Sequence, residues 1–271
     1  MLNVRSVGDL SRSVAANLHR LNPADFDVVV GVPRSGMIPA SIIATSLQLP
    51  LSDLWSYARG EHWMRSGHLD RSGRRVLLVD DTSNKGSAMA AAVEAIKHRA
   101  REITRLAIYG PYRDDFSIID MFFEECPGPR AFQWNFTKHA RLPRWGFDMD
   151  GVLCRDPTRD ENDRGLNYER FLREVRPMFI PRRPVGVIVT CRQDRYRAQT
   201  EAWLRAHGIE YGELVMSPKT RGTSKGLWKA GHIAGRKIEF FFESERKQAE
   251  EIAAATKLPV WHYGAQEVLY R

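Results

Sequence analysis

The chain has 271 residues, of which 43% are hydrophobic and 27% charged, proportions that are typical of a globular protein and a length that suits two ordinary domains. It has no signal-peptide pattern and no apolar run of about eighteen residues, so we expect a cytoplasmic protein without membrane insertion. Because the net charge of +8 is spread over both halves without a basic block, we expect small anionic substrates and no nucleic-acid partner.

The first part of the chain predicts a turn that suits phosphate binding. We expect an amphipathic helix over residues 4–21, then a buried strand from Phe26, a loop over residues 33–36 and a helix from Pro39. A loop that opens a helix offers backbone N–H groups to an anion, and Arg34 adds positive charge. Taken alone, this pattern equally fits an ordinary strand-to-helix turn.

A second loop of the same kind follows. Residues 75–79 predict a Val/Leu strand, which leads into the adjacent acids Asp80 and Asp81, a small polar loop and an alanine-rich helix that ends near His98. The small residues let the backbone close around a phosphate, and the acids lie where the vicinal hydroxyls of a ribose can be held. Two such loops suit a molecule that carries phosphates at both ends.

These residues resemble a type I phosphoribosyltransferase over roughly residues 1–141. The resemblance implies phosphoribosyl pyrophosphate as the donor, with Asp80 and Asp81 on its ribose hydroxyls. The first loop then receives pyrophosphate and the second receives the 5-phosphate, although the second loop departs from the family's usual Thr-Gly-Gly-Thr-like sequence. The implied donor-binding residues of the two loops are Arg34, Ser35, Gly36, Thr82, Ser83, Asn84, Lys85, Gly86 and Ser87.

The stretch between the two loops, residues 55–68, contains glycines, arginines and aromatic residues. It suits a mobile lid that closes over pyrophosphate, with Arg59 and Arg65 as binding residues. A hairpin with a surface basic patch is the alternative. Further along, residues 112–115 and 132–136 suit a hood whose aromatic side chains stack on the acceptor, although most such aromatics belong to the core.

The second half opens on an apolar strand that ends in two carboxylates. Asp148 and Asp150 are one residue apart, and Gly151 follows them. Alternate residues of an extended chain point the same way, so both carboxylates can face one Mg²⁺ and one phosphate. The pair suits a nucleophile that also binds metal, beside a proton donor and acceptor. Two solvated aspartates that cap a turn are the alternative.

This pattern resembles the haloacid dehalogenase superfamily of phosphotransferases over roughly residues 144–271. The resemblance implies that Asp148 is the nucleophile, that Asp150 is the acid and base, and that Thr190 holds a phosphoryl oxygen. It also implies Mg²⁺ bound by Asp148, Asp150 and Glu243. Asp150 resembles the acid of the family's phosphatase branch, which argues against dehalogenation of carbon.

The family's lysine, which lies near a helix start, is best matched by Lys225, with Lys219 and Lys229 as nearby competitors. The stretches between the motifs are too short for a full cap domain. We therefore expect an open site, which fits a phosphate displayed on something large better than a small enclosed metabolite.

The sequence thus predicts an α/β protein with two Rossmann-like domains. The first, residues 1–141, has a type I phosphoribosyltransferase fold. The second, residues 142–271, is a haloacid dehalogenase-like phosphatase domain with a minimal cap. The oligomeric state is left open, with a homodimer among the options.

Run in series, the two halves attach ribose 5-phosphate and then remove its phosphate. That combination resembles the two-domain ribofuranosyltransferases of bacterial O-antigen and other polysaccharide assembly. It implies a glycan acceptor, either free or lipid-linked. It also implies inversion at the anomeric carbon and a β-ribofuranosyl product. One alternative is a nucleobase phosphoribosyltransferase fused to a nucleotide phosphatase, and another is a donor-sensing domain that controls a phosphatase. The sequence leaves Asp81, Asp114 and Asp115 open as the general base for transfer.

Overall fold

Two compact units make up the chain. The contacts group Arg5–Arg130 into a first unit and Ala131–Arg271 into a second, and residues 2–4 are divided between them. The computed structural model describes residues 2–61, 74–111, 118–220 and 222–270.

Strands and α-helices alternate along most of both units. The strands are β1 (Asn3–Arg5), β2 (Val28–Gly31), β3 (Leu51–Asp53), β4 (Arg75–Thr82), β5 (Glu102–Gly110), β6 (Met121–Glu125), β7 (Arg130–Phe132), β8 (Trp145–Phe147), β9 (Val185–Gln193), β10 (Tyr211–Ser217), β11 (Phe240–Glu243), β12 (Val260–His262) and β13 (Glu267–Leu269). The α-helices are α1 (Val7–Asn17), α2 (Met37–Leu47), α3 (Leu54–Arg59), α4 (Ser87–Ile96), α5 (Leu166–Glu174), α6 (Arg197–Ala206), α7 (Lys225–Ile233) and α8 (Arg246–Thr256).

The first unit is built on a five-stranded parallel sheet with the strand order β3-β2-β4-β5-β6. Strands that are covered on both faces are apolar throughout, and β2, with the sequence Val-Val-Val-Gly, is buried at every position. The chain proceeds from β2 to one side of the sheet and returns at β4 to build the other side. In open α/β sheets, ligands bind outside the carboxyl ends of the strands at such a switch point. The loops after β2 and β4 therefore carry the candidate site of this unit.

The second unit contains a six-stranded sheet with the order β10-β9-β8-β11-β12-β13, in which only β13 runs antiparallel to its neighbour. Its switch point lies between β8 and β11, which are adjacent in the sheet and distant in sequence. Phe147 of β8 and Phe242 of β11 stack with their ring centroids 4.3 Å apart, and both are buried. This contact stabilises the pairing of the two strands at the place where a ligand is expected.

The first helix is shorter than the sequence predicts. α1 begins at Val7 and not at residue 4, because Ser6 and Asp9 form a capping box in which each side chain accepts a hydrogen bond from the other's backbone N–H. Residues 3–5 form strand β1 instead. Among the residues that the structure describes, no helix has both the length and the apolar character needed to cross a membrane.

The boundary between the units falls earlier than predicted, since residues 131–141 group with the second unit. Within that unit, His139 stacks on Trp145 with ring centroids 4.6 Å apart, and Phe136 packs against Phe242 at 5.3 Å. These aromatic contacts explain the grouping. They also correct the prediction that Phe136 belongs to a hood over the acceptor, because its ring packs against the core of the second unit.

Candidate active sites

The candidate site of the first unit lies where β2 and β4 end. Asp80 and Asp81 are near the carboxyl end of β4, and both are buried. The hydroxyl of Ser35, in the loop after β2, donates a hydrogen bond of 2.9 Å to the carboxylate of Asp81. The structure thus brings the first loop and the acid pair together.

Gly36 allows the first loop to approach β4 closely. A Cβ atom at this position would lie 2.6 Å from the carbonyl oxygen of Val32, 2.7 Å from that of Val79 and 3.0 Å from Cα of Asp80. Because these are backbone atoms, they cannot move aside as the end of a flexible side chain can. The position therefore requires glycine.

Both acids are poorly solvated, and this affects the charge of Asp80. Burial, together with the neighbouring carboxyl group of Asp81, raises the pKa of Asp80 to about 8. One carboxylate oxygen of Asp80 accepts a hydrogen bond of 2.8 Å from the backbone N–H of Asp81. Further donors from a ligand would favour the charged form of Asp80. The vicinal hydroxyls of a ribose are donors of this kind.

The second loop joins β4 to α4 through Gly86, which has a φ of +72°. The backbone N–H of Ser83 donates to the carbonyl of Tyr109 at 2.9 Å. The guanidinium group of Arg130 donates to the carbonyl of Ser83 at 2.8 Å. Arg130 was not predicted as a site residue, because it is 47 positions from Ser83 in sequence and no local motif marks it.

The stretch predicted as a lid begins as a helix. α3 buries Tyr57 completely in the core. Arg59, at the end of α3, is exposed and forms an ion pair of 3.1 Å with Glu61. The prediction that the whole of residues 55–68 is a mobile lid is therefore wrong for its first part, which core packing holds in place.

Some of the other predicted residues of the first unit lie outside the described ranges, and some are exposed. Arg65 of the expected lid, and Asp114 and Asp115 among the candidate bases, lie outside the described residues. Of the predicted donor-binding residues in the two loops, the exposed ones are Arg34, Asn84, Lys85 and Ser87.

The candidate site of the second unit lies at the ends of β8 and β11. Asp148 directly follows β8, and Glu243 is the last residue of β11. The ammonium group of Lys229 lies 2.5 Å from Oδ2 of Asp148 and 2.5 Å from Oε2 of Glu243, and all three residues are buried. The two carboxylates share this one cation, and a buried charge without a partner would be strongly destabilising.

The lysine in this contact is Lys229, whereas the sequence favoured Lys225. The hydroxyl of Ser224 accepts a hydrogen bond from the backbone N–H of Leu227, so that α7 begins at Lys225. Lys229 then lies one helical turn further along the same face. Lys225 lines the cavity at this site without taking part in the buried contact with Asp148.

Asp150 is held by an arginine that the sequence motifs did not single out. Nε of Arg192 lies 3.1 Å from both carboxylate oxygens of Asp150, and Nη2 lies 2.6 Å from Oδ1. The backbone N–H of Arg192 donates to the hydroxyl of Thr190 at 3.2 Å. A signal was present in the sequence, because residues two apart on a strand point to the same side, and Thr190 was already predicted to face the phosphate.

Burial shifts the pKa of several groups of this second site. It raises the pKa of Asp148 above its usual range, although Lys229 opposes the shift. It also raises the pKa of the Cys154 thiol. Burial lowers the pKa of Lys229 and Arg192, but the neighbouring carboxylates outweigh it, and both pKa values are raised. The site therefore keeps two stable cations beside its carboxylates.

These groups line a cavity of about 580 Å³. A cavity of this size can hold a phosphate together with the group that carries it. Its cationic lining residues are Arg164, Arg192, Arg195, Lys225 and Lys229, and its anionic ones are Asp148, Asp150, Asp156 and Glu245.

The three predicted Mg²⁺ ligands do not form a cation site. Asp148 and Glu243 share Lys229, while Asp150 is paired with Arg192. Over the ranges that the structure describes, no three side chains of His, Cys, Asp or Glu converge in a way that could hold a metal ion. In this arrangement the ligand set does not fit, and two protein cations supply the positive charge beside the carboxylates.

Comparison with known proteins concerns the first unit. Residues 2–109 match the family model of the phosphoribosyl transferase domain. The orotate phosphoribosyltransferase of Sulfurisphaera tokodaii is 31% identical over 86 residues, which are 32% of this chain and 44% of that protein. The xanthine-guanine phosphoribosyltransferase of Chromohalobacter salexigens is 35% identical over 92 residues, or 32% of this chain and 57% of that protein. The amino-terminal region is a phosphoribosyltransferase domain.

The phosphoribosyltransferase domain contains both β2 and β4 with their loops, and the family match ends at residue 109. The chain spans about half the length of these two curated relatives. A solved purine phosphoribosyltransferase from Pyrococcus horikoshii is 21% identical, covers 49% of this chain and 92% of its own, and has a TM-score of 0.36. A chain in the structure of the Pnkp1/Rnl/Hen1 RNA repair complex is 14% identical, covers 96% of this chain and 94% of its own, and has a TM-score of 0.35.

Proposed function

We propose that the chain carries two reactions. Its phosphoribosyltransferase domain transfers ribose 5-phosphate from phosphoribosyl pyrophosphate to a nucleobase, and its second unit hydrolyses a phosphomonoester. The observation that carries the proposal is that each unit places an acid pair at the switch point of its sheet, with Asp80 and Asp81 beside Ser35 in the first and Asp148 and Asp150 in the second. The named substrates of the relatives, orotate and xanthine-guanine, favour a nucleobase as the acceptor.

In the transfer step, Asp80 and Asp81 accept hydrogen bonds from the ribose hydroxyls. The bond between the anomeric carbon and the pyrophosphate oxygen breaks while a lone pair of the acceptor nitrogen forms the new bond, and the proton of that nitrogen passes to the departing pyrophosphate. The two carboxylates stabilise the positive charge that develops on the sugar. The departing pyrophosphate is held at the loop before α2, where Gly36 keeps the backbone close to β4.

In the hydrolytic step, a carboxylate oxygen of Asp148 attacks phosphorus, and Asp150 gives a proton to the leaving oxygen. An aspartyl phosphate results. Asp150 then removes a proton from a water molecule, which attacks phosphorus, releases inorganic phosphate and restores Asp148. Lys229 and Thr190 stabilise the charge of the phosphoryl oxygens in both halves of the reaction.

The open cavity of about 580 Å³ supports a second candidate function. In this version the acceptor is a glycan, free or lipid-linked, and the second unit removes the 5-phosphate after transfer to leave a β-ribofuranosyl residue. A phosphate on a large carrier can enter such a cavity end-on. The two candidates share the donor and both active sites, and they differ only in the acceptor.

Two separate assays test the proposal. Pyrophosphate release from phosphoribosyl pyrophosphate is measured with orotate, xanthine, guanine and a panel of glycans, and phosphatase activity is measured with p-nitrophenyl phosphate, each with Mg²⁺ and with EDTA. We expect Asp80→Asn to abolish only pyrophosphate release and Asp148→Asn to abolish only hydrolysis. Hydrolysis that survives in Asp148→Asn, or the absence of pyrophosphate release with every acceptor, would contradict the corresponding half.

A further inference from the structure

Arg192 has a hydrogen-bonding capacity that the protein does not use. Its side chain is completely buried and lines the cavity that contains Asp148 and Asp150. Nε and Nη2 donate to Asp150, and Nη2 also lies 3.2 Å from Sγ of Cys154. Within the described part of the chain, the buried Nη1 has no hydrogen-bond partner.

A buried guanidinium N–H group without an acceptor is costly, because it has lost water and gained nothing in exchange. The cost calls for a compensating role. Nη1 belongs to a side chain on the wall of a cavity proposed to receive a phosphomonoester. An oxygen of that phosphate is the kind of acceptor that a guanidinium group binds best.

The contacts of Asp150 are uneven between its two oxygens. Oδ1 accepts hydrogen bonds from Nε and Nη2 of Arg192 and lies 3.5 Å from Sγ of Cys154. Oδ2 accepts a hydrogen bond from Nε alone, at 3.1 Å. The guanidinium group of Arg192 thus fixes the plane of the carboxylate. Oδ2 accepts fewer hydrogen bonds than Oδ1, so it is the oxygen suited to exchange a proton with a leaving group.

We propose that Arg192 is both the positioning residue for Asp150 and a ligand of the substrate phosphate. Nε and Nη2 orient the carboxylate, and Nη1 donates to a phosphoryl oxygen. The inference rests on the proposed phosphatase function and adds a residue to it. Lysine cannot replace arginine here, because an ammonium group is a point charge that cannot hold a planar carboxylate and a phosphate with one rigid fork.

The test compares Arg192→Lys with a matched control, Arg197→Lys. Arg197 also places Nε and Nη2 on one aspartate, at 2.9 and 2.6 Å from Oδ1 of Asp194, but it does not line the cavity. Two quantities are measured: kcat for p-nitrophenyl phosphate, and the affinity for inorganic phosphate from competitive inhibition and from thermal stabilisation.

For Arg192→Lys we expect kcat to fall about 100-fold, because the acid is misplaced. Affinity for inorganic phosphate should weaken about tenfold, because a charge-assisted hydrogen bond is lost. Arg197→Lys should change neither. In an Asp150→Asn background, Arg192→Lys should cost little further kcat, since the group it positions is gone, but should still weaken phosphate binding.

The proposal is overturned if Arg192→Lys matches Arg197→Lys in both measurements, or if its effect on kcat is undiminished in Asp150→Asn. If the wild type hydrolyses no phosphate ester, the phosphatase function fails, and the affinity for inorganic phosphate still decides whether Arg192 is an anion ligand. If Arg192→Lys loses the wild-type near-UV circular dichroism, Asp150→Asn is compared with Asp150→Asn/Arg192→Gln, which removes both charges together. Unchanged phosphate affinity in that comparison would also overturn the proposal.

Discussion

Nζ of Lys229 lies 2.5 Å from Oδ2 of Asp148, and both residues are buried. The same ammonium group contacts Glu243. One cation therefore organises the ends of two neighbouring strands at the switch point of the second sheet. Its loss would leave two buried carboxylates without a counter-charge.

We predict that Lys229→Met destabilises the protein by about 3–5 kcal/mol, the usual cost of breaking a buried ion pair by removing one partner. It should also abolish hydrolysis of p-nitrophenyl phosphate. Lys225→Met is the matched control, because Lys225 lies one turn earlier in α7 and is not in the buried contact. Urea denaturation and the phosphatase assay check both variants. A larger loss of stability in Lys225→Met would contradict the assignment of Lys229.

The buried acid Asp80 of the first unit lowers the stability of the protein at high pH, although we expect transfer to require it. Because the pKa of Asp80 is raised to about 8, the native state keeps a proton from about pH 4 to about pH 8 that the unfolded chain releases. Stability contributed by this group therefore falls as the pH rises through that window. Asn cannot ionise, so Asp80→Asn should melt at a higher temperature than the wild type at pH 8, by at least about 2 °C.

The difference between the melting temperatures of Asp80→Asn and wild type should shrink toward pH 4. Thermal denaturation at several pH values measures it, and pyrophosphate release should be lost in the same variant at every pH. A difference that stayed constant with pH, or grew as the pH fell, would contradict the raised pKa of Asp80.

Because the first loop packs closely on β4, we predict that Gly36→Ala lowers both the stability of the protein and its pyrophosphate release. The added Cβ would meet three backbone atoms at 2.6 to 3.0 Å, so either the loop or β4 must move. We expect a lower melting temperature and loss of pyrophosphate release, with hydrolysis of p-nitrophenyl phosphate by the second unit retained.

Gly8→Ala is the matched control for Gly36→Ala in the same unit. Its Cβ would have no neighbour nearer than 3.4 Å, so stability and pyrophosphate release should both stay near wild type. Equal effects of the two substitutions would show that steric contact at Gly36 is not the cause.

Sequence alone predicted the parts of the site that lie at strand ends. Asp80 and Asp148 each follow an unbroken apolar run, and parallel strands bring their carboxyl ends to one edge of a sheet. The helix after each loop was visible from spacing, because apolar residues recur at helical period. These features depend on neighbours in sequence.

What the sequence did not reveal depends on contacts between distant segments. The choice of Lys229 over Lys225 depends on where α7 begins and on which turn of the helix brings an ammonium group to Asp148 and Glu243. Arg192 is 42 positions from Asp150, and Arg130 is 47 from Ser83. The second unit begins before residue 142 because aromatic side chains such as Phe136 pack on its core. The sequence around an aromatic residue in an irregular segment does not indicate which core it packs against.

The most direct measurement is mass spectrometry of the products formed from phosphoribosyl pyrophosphate and the nucleobase and glycan panel. Wild type is compared with Asp148→Asn, and Asp80→Asn serves as the control for transfer. If the two sites act in series, the acceptor gains ribose with the wild type, ribose phosphate with Asp148→Asn, and nothing with Asp80→Asn. A product of the same mass from wild type and Asp148→Asn would contradict the coupling of the two reactions, and an unmodified acceptor in every case would contradict transfer itself.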